Sequence, residues 1–224
     1  AKYNTCTTRS DGTPGAPILL KHDEMIAQYH DAVLPNNDAG IKRPDAFALA
    51  DKYNAAPISN VLFDFISNTS LAEGQTFYLE GGKTYYLDGN DITCKGFTLA
   101  TDPEDVKAGK RAKDSELYSG VGGDQAQGSY TMFMFGRQPE AGEGGEIYMK
   151  KLAFENIDFD NPTALNYGDN KAGVGVVAGN YFFNMYSNGM AVTLDSLVME
   201  NCTFKRLVRG FIREQGVNYK VWNH

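Results

Sequence analysis

The sequence predicts an all-β solenoid of short strands, with helices confined to its N-terminal end. Three observations predict this fold: an internal repeat, apolar residues that alternate on both sides of an asparagine in each copy, and a glycine-rich composition with 24 glycines. The repeat relates residues 152–159 to residues 197–204, an offset of 45 residues at every matched position. Similarity at a fixed period is typical of stacked architectures, in which each layer is covered by its neighbours.

The centre of each copy is an asparagine, Asn156 or Asn201, at which the spacing of apolar residues changes. Leu152 and Phe154 are two residues apart, but the next apolar residue, Ile157, follows after three. A continuous strand would turn the residues after Asn156 to the opposite face. A left-handed bend, which Asn tolerates well, keeps both halves inside, and stacked Asn side chains can bond between layers. We predict structural corners here; the alternative is two unrelated strands that share Glu-Asn.

A helix is predicted immediately before the solenoid. Residues 57–70 place four apolar side chains on one stripe of a helix: Val61, Leu62, Phe65 and Ile66. A proline stands near the start of this segment, and a run of Ser, Asn and Thr ends it. A helix laid across the end of a stack covers the unpaired edge of the first layer, which otherwise favours aggregation.

The chain is predicted to divide into three parts. They are a layer of helices and loops, the capping helix and the solenoid, over residues 1–56, 57–73 and 74–224. The first part has helical spacing in residues 23–33 and 44–53, but it is too short to form its own core and is expected to pack on the cap. Residues 102–129 are polar and glycine-rich, so they are predicted to be an inserted loop.

Residues 74–87 have the pattern of a first solenoid layer. Alternating apolar residues stand on both sides of a Gly-Gly turn, in the form Gly-x-Thr-φ-x-Leu-x-x-Gly-x-x-Tyr. This segment resembles the first coil of right-handed parallel β-helix proteins of the pectate-lyase-like superfamily, where it follows a capping helix. The resemblance implies a right-handed single-stranded parallel β-helix with an N-terminal helical cap.

Three further strings narrow the resemblance: residues 135–139 (Phe-Gly-Arg-Gln-Pro), 179–187 (Gly-Asn-Tyr-Phe-Phe-Asn-Met-Tyr-Ser) and 207–213 (Leu-Val-Arg-Gly-Phe-Ile-Arg). Over about residues 57–224 the chain resembles secreted or surface-anchored gut Bacteroidetes proteins, domains of unknown function on a right-handed β-helix. Such proteins tend to be encoded with glycan-uptake machinery. The resemblance implies a secreted, periplasmic or outer-membrane-surface location and a polysaccharide or glycan partner, but it supplies no catalytic residue. It also implies that the β-helix continues beyond His224.

Charge and composition exclude several classes of protein. The net charge is −7 and the pI is near 5.0, so the surface repels phosphate and no nucleic-acid partner is predicted. No apolar run approaches about 18 residues, so no membrane span is predicted, although a lipid anchor outside this chain remains compatible with the location. Cys6, Cys94 and Cys202 lack metal-ligand spacing. We interpret the last two as core residues, and a disulfide from Cys6 stays an alternative.

Asp158 and Asp160 are the candidate catalytic residues. They are two residues apart in a strand, so their side chains are expected to share its outer face. Acids on an outer sheet of pectate-lyase-like enzymes hold Ca²⁺ against a uronate or act as an acid–base pair. The second copy has Thr203 and Lys205 at these positions, so the acidic character does not repeat. The competing interpretation is a solvated strand face, with no metal or cofactor.

The candidate substrate-binding residues are arginines and aromatic residues in the C-terminal part: Arg206, Arg209, Phe211, Arg213, Tyr181 and Tyr186. Arginine pairs bidentately with carboxylates, and aromatic faces offer an apolar surface to sugar rings. In the competing interpretation the arginines form ion pairs with Glu155, Glu200 or Asp195 on neighbouring layers, and the aromatic residues pack in the core.

The resemblance implies an extracytoplasmic protein in a polysaccharide-utilisation context, and together with the absence of a catalytic motif and the arginine and aromatic content it favours one that binds a glycan without cleaving it. One alternative is a polysaccharide lyase or glycoside hydrolase acting on an acidic glycan, and another is a structural or adhesive spacer. The sequence contains no P-loop, Gly-x-Ser-x-Gly or His-Glu-x-x-His motif. The absence of these motifs does not decide between the three interpretations, and it does not identify the glycan.

Overall fold

The structure of the protein is a computed structural model. The described residues are 12–29, 54–68, 70–87, 95–116, 131–135, 145–160, 181–186, 190–205 and 210–215. Within them the structure is mostly β, with three short helices, and every strand pairing described is parallel. None of the helices in these ranges is long and apolar enough to cross a membrane.

The elements, in chain order, are β1 Ile18–Leu20, α1 His22–Tyr29, β2 Ala55–Pro57, α2 Ser59–Ser67, β3 Gln75–Leu79, β4 Thr84–Leu87, β5 Phe97–Thr101, α3 Pro103–Lys107, β6 Ala112–Glu116, β7 Thr131–Phe135, β8 Gly145–Glu155, β9 Ile157–Asp160, β10 Tyr181–Tyr186, β11 Met190–Glu200, β12 Thr203–Lys205 and β13 Gly210–Gln215. The strands belong to three sheets. The first sheet has the order β1-β3-β5-β8-β11, the second β12-β9-β6-β4-β2 and the third β13-β10-β7.

Consecutive strands of the repeat enter different sheets. β8, β9 and β10 lie in the first, second and third sheets, and β11 returns to the first beside β8. The register pairs Leu197 with Leu152 and Phe204 with Phe159, so each copy of the repeat lies against the other at equivalent positions. The 45-residue offset in the sequence is therefore the distance along the chain between one layer and the next.

Asn156 and Asn201 stand where the chain leaves the first sheet for the second. Their φ angles are 57° and 51°, which is the left-handed conformation predicted from the change in apolar spacing. The side-chain amide of Asn201 donates to Oδ1 of Asn156 at 2.7 Å, which joins the two corners between layers. The bend keeps Phe154 and Ile157, on either side of Asn156, both fully buried.

The interior is a continuous stack of phenylalanine rings. Phe65 of α2, Phe77 of β3, Phe97 of β5 and Phe154 of β8 meet edge to face, with successive ring centroids 5.4, 6.4 and 6.1 Å apart. Each such aromatic pair contributes about 0.5–1.5 kcal/mol beyond the area it buries. The stack continues through Phe159, so that one aromatic core links α2 to the layers of the repeat.

The helix predicted before the solenoid is present as α2. Leu62, Phe65 and Ile66 are buried and Val61 is partly buried, so the predicted stripe faces the core. The helix begins at Ser59, because Pro57 ends strand β2 rather than opening the helix. The two strands and the turn predicted in residues 74–87 are also present, as β3, the turn at Gly82 with φ 81°, and β4.

Three strands lie where the sequence analysis expected helices and loops. β1 pairs with β3 and β2 pairs with β4, so the N-terminal part contributes to two sheets as well as α1. β6 lies in the predicted insertion, after α3, and pairs with β4 and β9. The polar composition of β6 concealed it, because only Ala112 of its described side chains is buried. The helix predicted over residues 44–53 lies outside the described residues.

Candidate functional site

The site with the most complete geometry lies on the second sheet, just after the corner at Asn156. Lys113 of β6, Asp158 of β9 and Thr203 of β12 are register partners across three neighbouring strands. Lys113 and Thr203 are exposed, and the Asp158 side chain is 34 % exposed. A basic group, a carboxylate and a hydroxyl therefore form a row across the outer face of this sheet.

Arg111, immediately before β6, binds the carboxylate in this row. Its Nη2 lies 3.0 Å from Oδ1 of Asp158, and its Nε donates to the same oxygen at 3.1 Å. Nη2 also donates to the carbonyl oxygens of Ile157, at 3.3 Å, and of Asn201. The guanidinium thus joins three successive layers, and it satisfies carbonyl groups at the corners as well as neutralising Asp158.

Thr203 completes the contacts of Asp158 by donating its hydroxyl to Oδ1 at 2.7 Å. Within the described residues, the contacts of this carboxylate all reach Oδ1. We name Arg111, Lys113, Asp158 and Thr203 the Asp158 cluster. An ion pair this exposed contributes only about 0–1 kcal/mol to stability, but its groups are held in fixed positions where a ligand can reach them.

The sequence analysis expected the side chain of Asp160 to lie on a solvated outer face, but the structure buries it. Its side chain is buried, with 8 % exposed, although Asp158 two residues earlier remains partly open. Strand alternation predicts which face a side chain is on, but it does not show what else covers that face. Among the described residues, no group of three or more His, Cys, Asp or Glu side chains is arranged to hold a metal ion.

Phe211 is placed against the interior rather than as an open platform for a sugar. Its ring stacks on Phe182 at 5.3 Å with an interplanar angle of 3°, and it meets Phe204 edge to face at 5.0 Å. It is partly buried and packs on the core. The predicted alternative of aromatic packing therefore describes its environment.

The remaining predicted binding residues are only partly described. Arg206 and Arg209 lie outside the described residues. The backbone register places Arg213 opposite Asn184, and Tyr181 opposite Gly210. β10 and β13 thus bring Tyr181, Tyr186 and Arg213 into adjacent strands of the third sheet, away from the Asp158 cluster in the second.

Two side-chain contacts between neighbouring strands were missed by the sequence analysis. Arg111 stands in a segment predicted to be a loop, and nothing in its local pattern indicates that it reaches three layers. Tyr148 of β8 donates its hydroxyl to Asp195 of β11, which was considered only as a partner for the arginines. For Asp158 a signal was present, because the repeat sets Thr203, a hydroxyl donor, at the equivalent position one layer away.

The sequence matches no protein-family model, and no curated protein or solved structure is significantly similar to it.

Proposed function

We propose that this chain is a right-handed single-stranded parallel β-helix with an N-terminal helical cap, and that it binds a polysaccharide outside the cytoplasm without cleaving it. Three observations support the fold. From β5 to β13 consecutive strands enter the three parallel sheets in turn, the repeat pairs in register, and the apolar stripe of α2 faces the core. We infer a right-handed helix because connections between parallel strands of one sheet are almost always right-handed. The resemblance in sequence supports the location and the glycan.

The observation that carries the proposal is the fixed carboxylate of Asp158 between a basic and a hydroxyl side chain. Neighbouring strands are about 4.8 Å apart, so the row presents an ammonium, a carboxylate and a hydroxyl at regular intervals. Sugar hydroxyls can accept from the ammonium of Lys113, and they can donate to the carboxylate and to the oxygen of Thr203, whose own proton is bonded to Asp158. Hydrogen bonds to charged groups are the stronger ones, so a few of them can orient a sugar ring.

The same geometry favours binding over cleavage. Glycoside hydrolysis uses two carboxyl groups that flank the scissile bond, one of them free to transfer a proton. In this site Asp158 is paired with Arg111, and the second candidate acid, Asp160, is buried. The Asp158 cluster therefore has the groups that hold a sugar but lacks, among the described residues, an open pair of acids.

The test is a glycan-array screen with the full chain, followed by an assay of each bound glycan for new unsaturated or reducing ends. Binding without product is expected. Product formation would replace the proposal with a lyase or hydrolase. No binding by a folded sample would favour a structural or adhesive spacer.

The variant Asp158→Asn tests whether the cluster is the binding site. It keeps the shape of the side chain but removes the charge, so the affinity for the bound glycan should fall about tenfold or more. Lys107→Ala is the matched control, because Lys107 is an exposed cation on α3 that pairs with Glu104. Equal affinity of Asp158→Asn and wild type would place the glycan elsewhere on the protein.

A further inference from the structure

Thr101, the last residue of β5, stands at a corner of the stack but does not turn the chain there. The register pairs Ala100 with Glu155, so Thr101 lies beside Asn156, where the next layer passes from the first sheet into the second. Thr101 lacks the left-handed φ angle of Asn156. A β-branched residue strongly disfavours that conformation, so the chain continues past this corner before it turns.

An insertion follows Thr101 before the chain enters the second sheet. In the next layer β9 comes directly after the corner, whereas residues 102–111, which include α3, separate Thr101 from Ala112. Ala112 nevertheless pairs with Ile157, at the 45-residue offset of the repeat. Residues 102–111 are therefore an insertion at the corner of one layer, and the last residue of this insertion is Arg111.

The hydroxyl of Thr101 connects the end of this insertion to the corner of the next layer. Thr101 is buried, with 1 % of its surface exposed. Its Oγ1 donates to the carbonyl oxygen of Asn156 at 2.5 Å and accepts from the backbone N–H of Ala112 at 2.9 Å. One hydroxyl therefore holds the first residue of β6 against the residue that stands two positions before Asp158.

We propose that Thr101 is a positioning residue of the Asp158 cluster, whose hydroxyl sets the point from which Arg111 reaches the carboxylate. Arg111 directly precedes Ala112, and Asp158 follows the Asn156 corner. Both partners of the ion pair thus begin next to a backbone group that this hydroxyl holds. The inference rests on the proposed function for the purpose of the cluster, but the geometry that it assigns to Arg111 does not depend on a ligand.

The backbone around Arg111 is also held from the preceding layer. Its carbonyl oxygen accepts from the N–H of Gly82 at 2.8 Å, and the N–H of Lys113 donates to the carbonyl oxygen of Lys83 at 2.9 Å. These two bonds tie the start of β6 towards β4. Thr101 adds a side-chain contact in the opposite direction, towards the layer of β9 in which the carboxylate lies.

Solvent exchange of the Arg111 Nε–H, measured on the full chain by nuclear magnetic resonance, tests the positioning directly. This N–H is bonded to Oδ1 of Asp158, so it exchanges when that bond opens. The signal is identified by its loss in Arg111→Lys. Thr101→Val keeps the shape of the side chain and removes the hydroxyl, so exchange should quicken about tenfold. Thr101→Ser keeps the hydroxyl and should stay within about threefold of wild type.

A variant that loses stability elsewhere is the matched control. Lys95→Met removes buried hydrogen bonds at the end of α2 and should leave the exchange of the Arg111 Nε–H unchanged. Equal exchange in Thr101→Val and wild type, or equal acceleration in Thr101→Val and Lys95→Met, would overturn the proposal. Exchange about tenfold faster in Thr101→Ser would overturn it as well, because that variant retains the hydroxyl.

Glycan binding separates this inference from the proposed function. For the glycan bound most tightly in the array screen, Thr101→Val should lower the affinity about tenfold, and Thr101→Ser should keep it close to that of wild type. Faster exchange at Arg111 with unchanged affinity would retain Thr101 as a positioning residue and would remove the Asp158 cluster as the glycan site. If no glycan binds, the proposed function fails, and the exchange measurement still decides the role of Thr101.

Discussion

At the scale of single residues, two asparagines determine where the chain turns from one sheet into the next. Asn156 and Asn201 turn the chain in left-handed backbone, and each lies where one sheet passes into the next. Other non-glycine residues adopt this conformation at a cost of about 1–2 kcal/mol. The corner thus depends on residue type, and hydrogen bonding between the two asparagines adds to it.

Replacement of Asn156 should separate these two contributions. Asn156→Gly keeps the left-handed bend and loses the bond from Asn201, so we expect a loss of about 0.5–1.5 kcal/mol in the free energy of unfolding. Asn156→Ala adds backbone strain and should lose about 1–2 kcal/mol more. Urea denaturation compares the two variants. Equal stability of the Gly and Ala variants would contradict a conformational role.

Tyr85 is buried with its hydroxyl in two hydrogen bonds, to the carbonyl of Leu20 at 2.7 Å and from the N–H of Glu80 at 3.0 Å. Burial raises the pKa of its phenol well above the ordinary value. The folded protein therefore keeps a proton that the unfolded chain releases above about pH 10. The contribution of Tyr85 to stability is complete below that pH and is lost as the pH rises further.

Tyr85→Phe should consequently flatten the stability profile at alkaline pH. It should also cost about 1–2 kcal/mol at neutral pH, because the carbonyl of Leu20 and the N–H of Glu80 lose their partner. Chemical denaturation at several pH values up to about 11 measures both effects. An unchanged alkaline slope in the variant would assign that slope to other groups.

At the scale of elements, the helix α2 is joined to the sheets by a buried lysine. Nζ of Lys95 donates to the carbonyl oxygens of Phe65, Asn68 and Leu71 at 3.0, 2.8 and 2.9 Å. The ammonium also lies 4.7 Å from the centre of the Phe65 ring. These carbonyls belong to the end of the helix and the turn after it, where acceptors lack intrahelical partners and a cation is favourable.

Lys95→Met tests this connection. Methionine preserves most of the apolar length of the side chain and removes the three donors, so the free energy of unfolding should fall by about 1.5–3 kcal/mol. Lys107→Met, at an exposed cation on α3, is the control and should change stability by less than about 0.5 kcal/mol. Thermal unfolding of the two variants decides the matter. Similar losses of stability in the two variants would show that Lys95 does not cap the helix.

At the scale of the whole molecule, stacking of layers determines how much each inward residue contributes. Phe159 and Phe204 occupy equivalent positions in the repeat, and their rings stack at 5.2 Å with an interplanar angle of 4°. Phe159 is 1 % exposed, whereas Phe204 is partly buried on β12, at one end of the second sheet. The two copies of one sequence pattern thus have different environments.

Phe159→Ala and Phe204→Ala should therefore differ, although the repeat alone predicts equal effects. Phe159→Ala leaves a cavity between layers and should cost about 3–5 kcal/mol. Phe204→Ala should cost less, because part of its ring is already in contact with solvent. Urea denaturation of both variants gives the comparison. Equal losses would mean that the layer of Phe204 is covered as completely as that of Phe159.

The sequence by itself determined the features that depend on neighbouring residues. Alternation of apolar residues, the change of spacing at Asn156 and the stripe of α2 are local patterns, and each predicts an element that the structure contains. The left-handed corner was predictable for the same reason, since few residues adopt that conformation.

Only the tertiary structure decided what depends on residues distant along the chain. Burial of Asp160, the reach of Arg111 to Asp158 and Asn201, and the membership of β6 in a sheet have no local signal. The candidate site is of this kind, because Arg111 and Thr203 meet at one carboxylate only after the layers stack. Periodicity shows which way a side chain points, and packing determines what it meets.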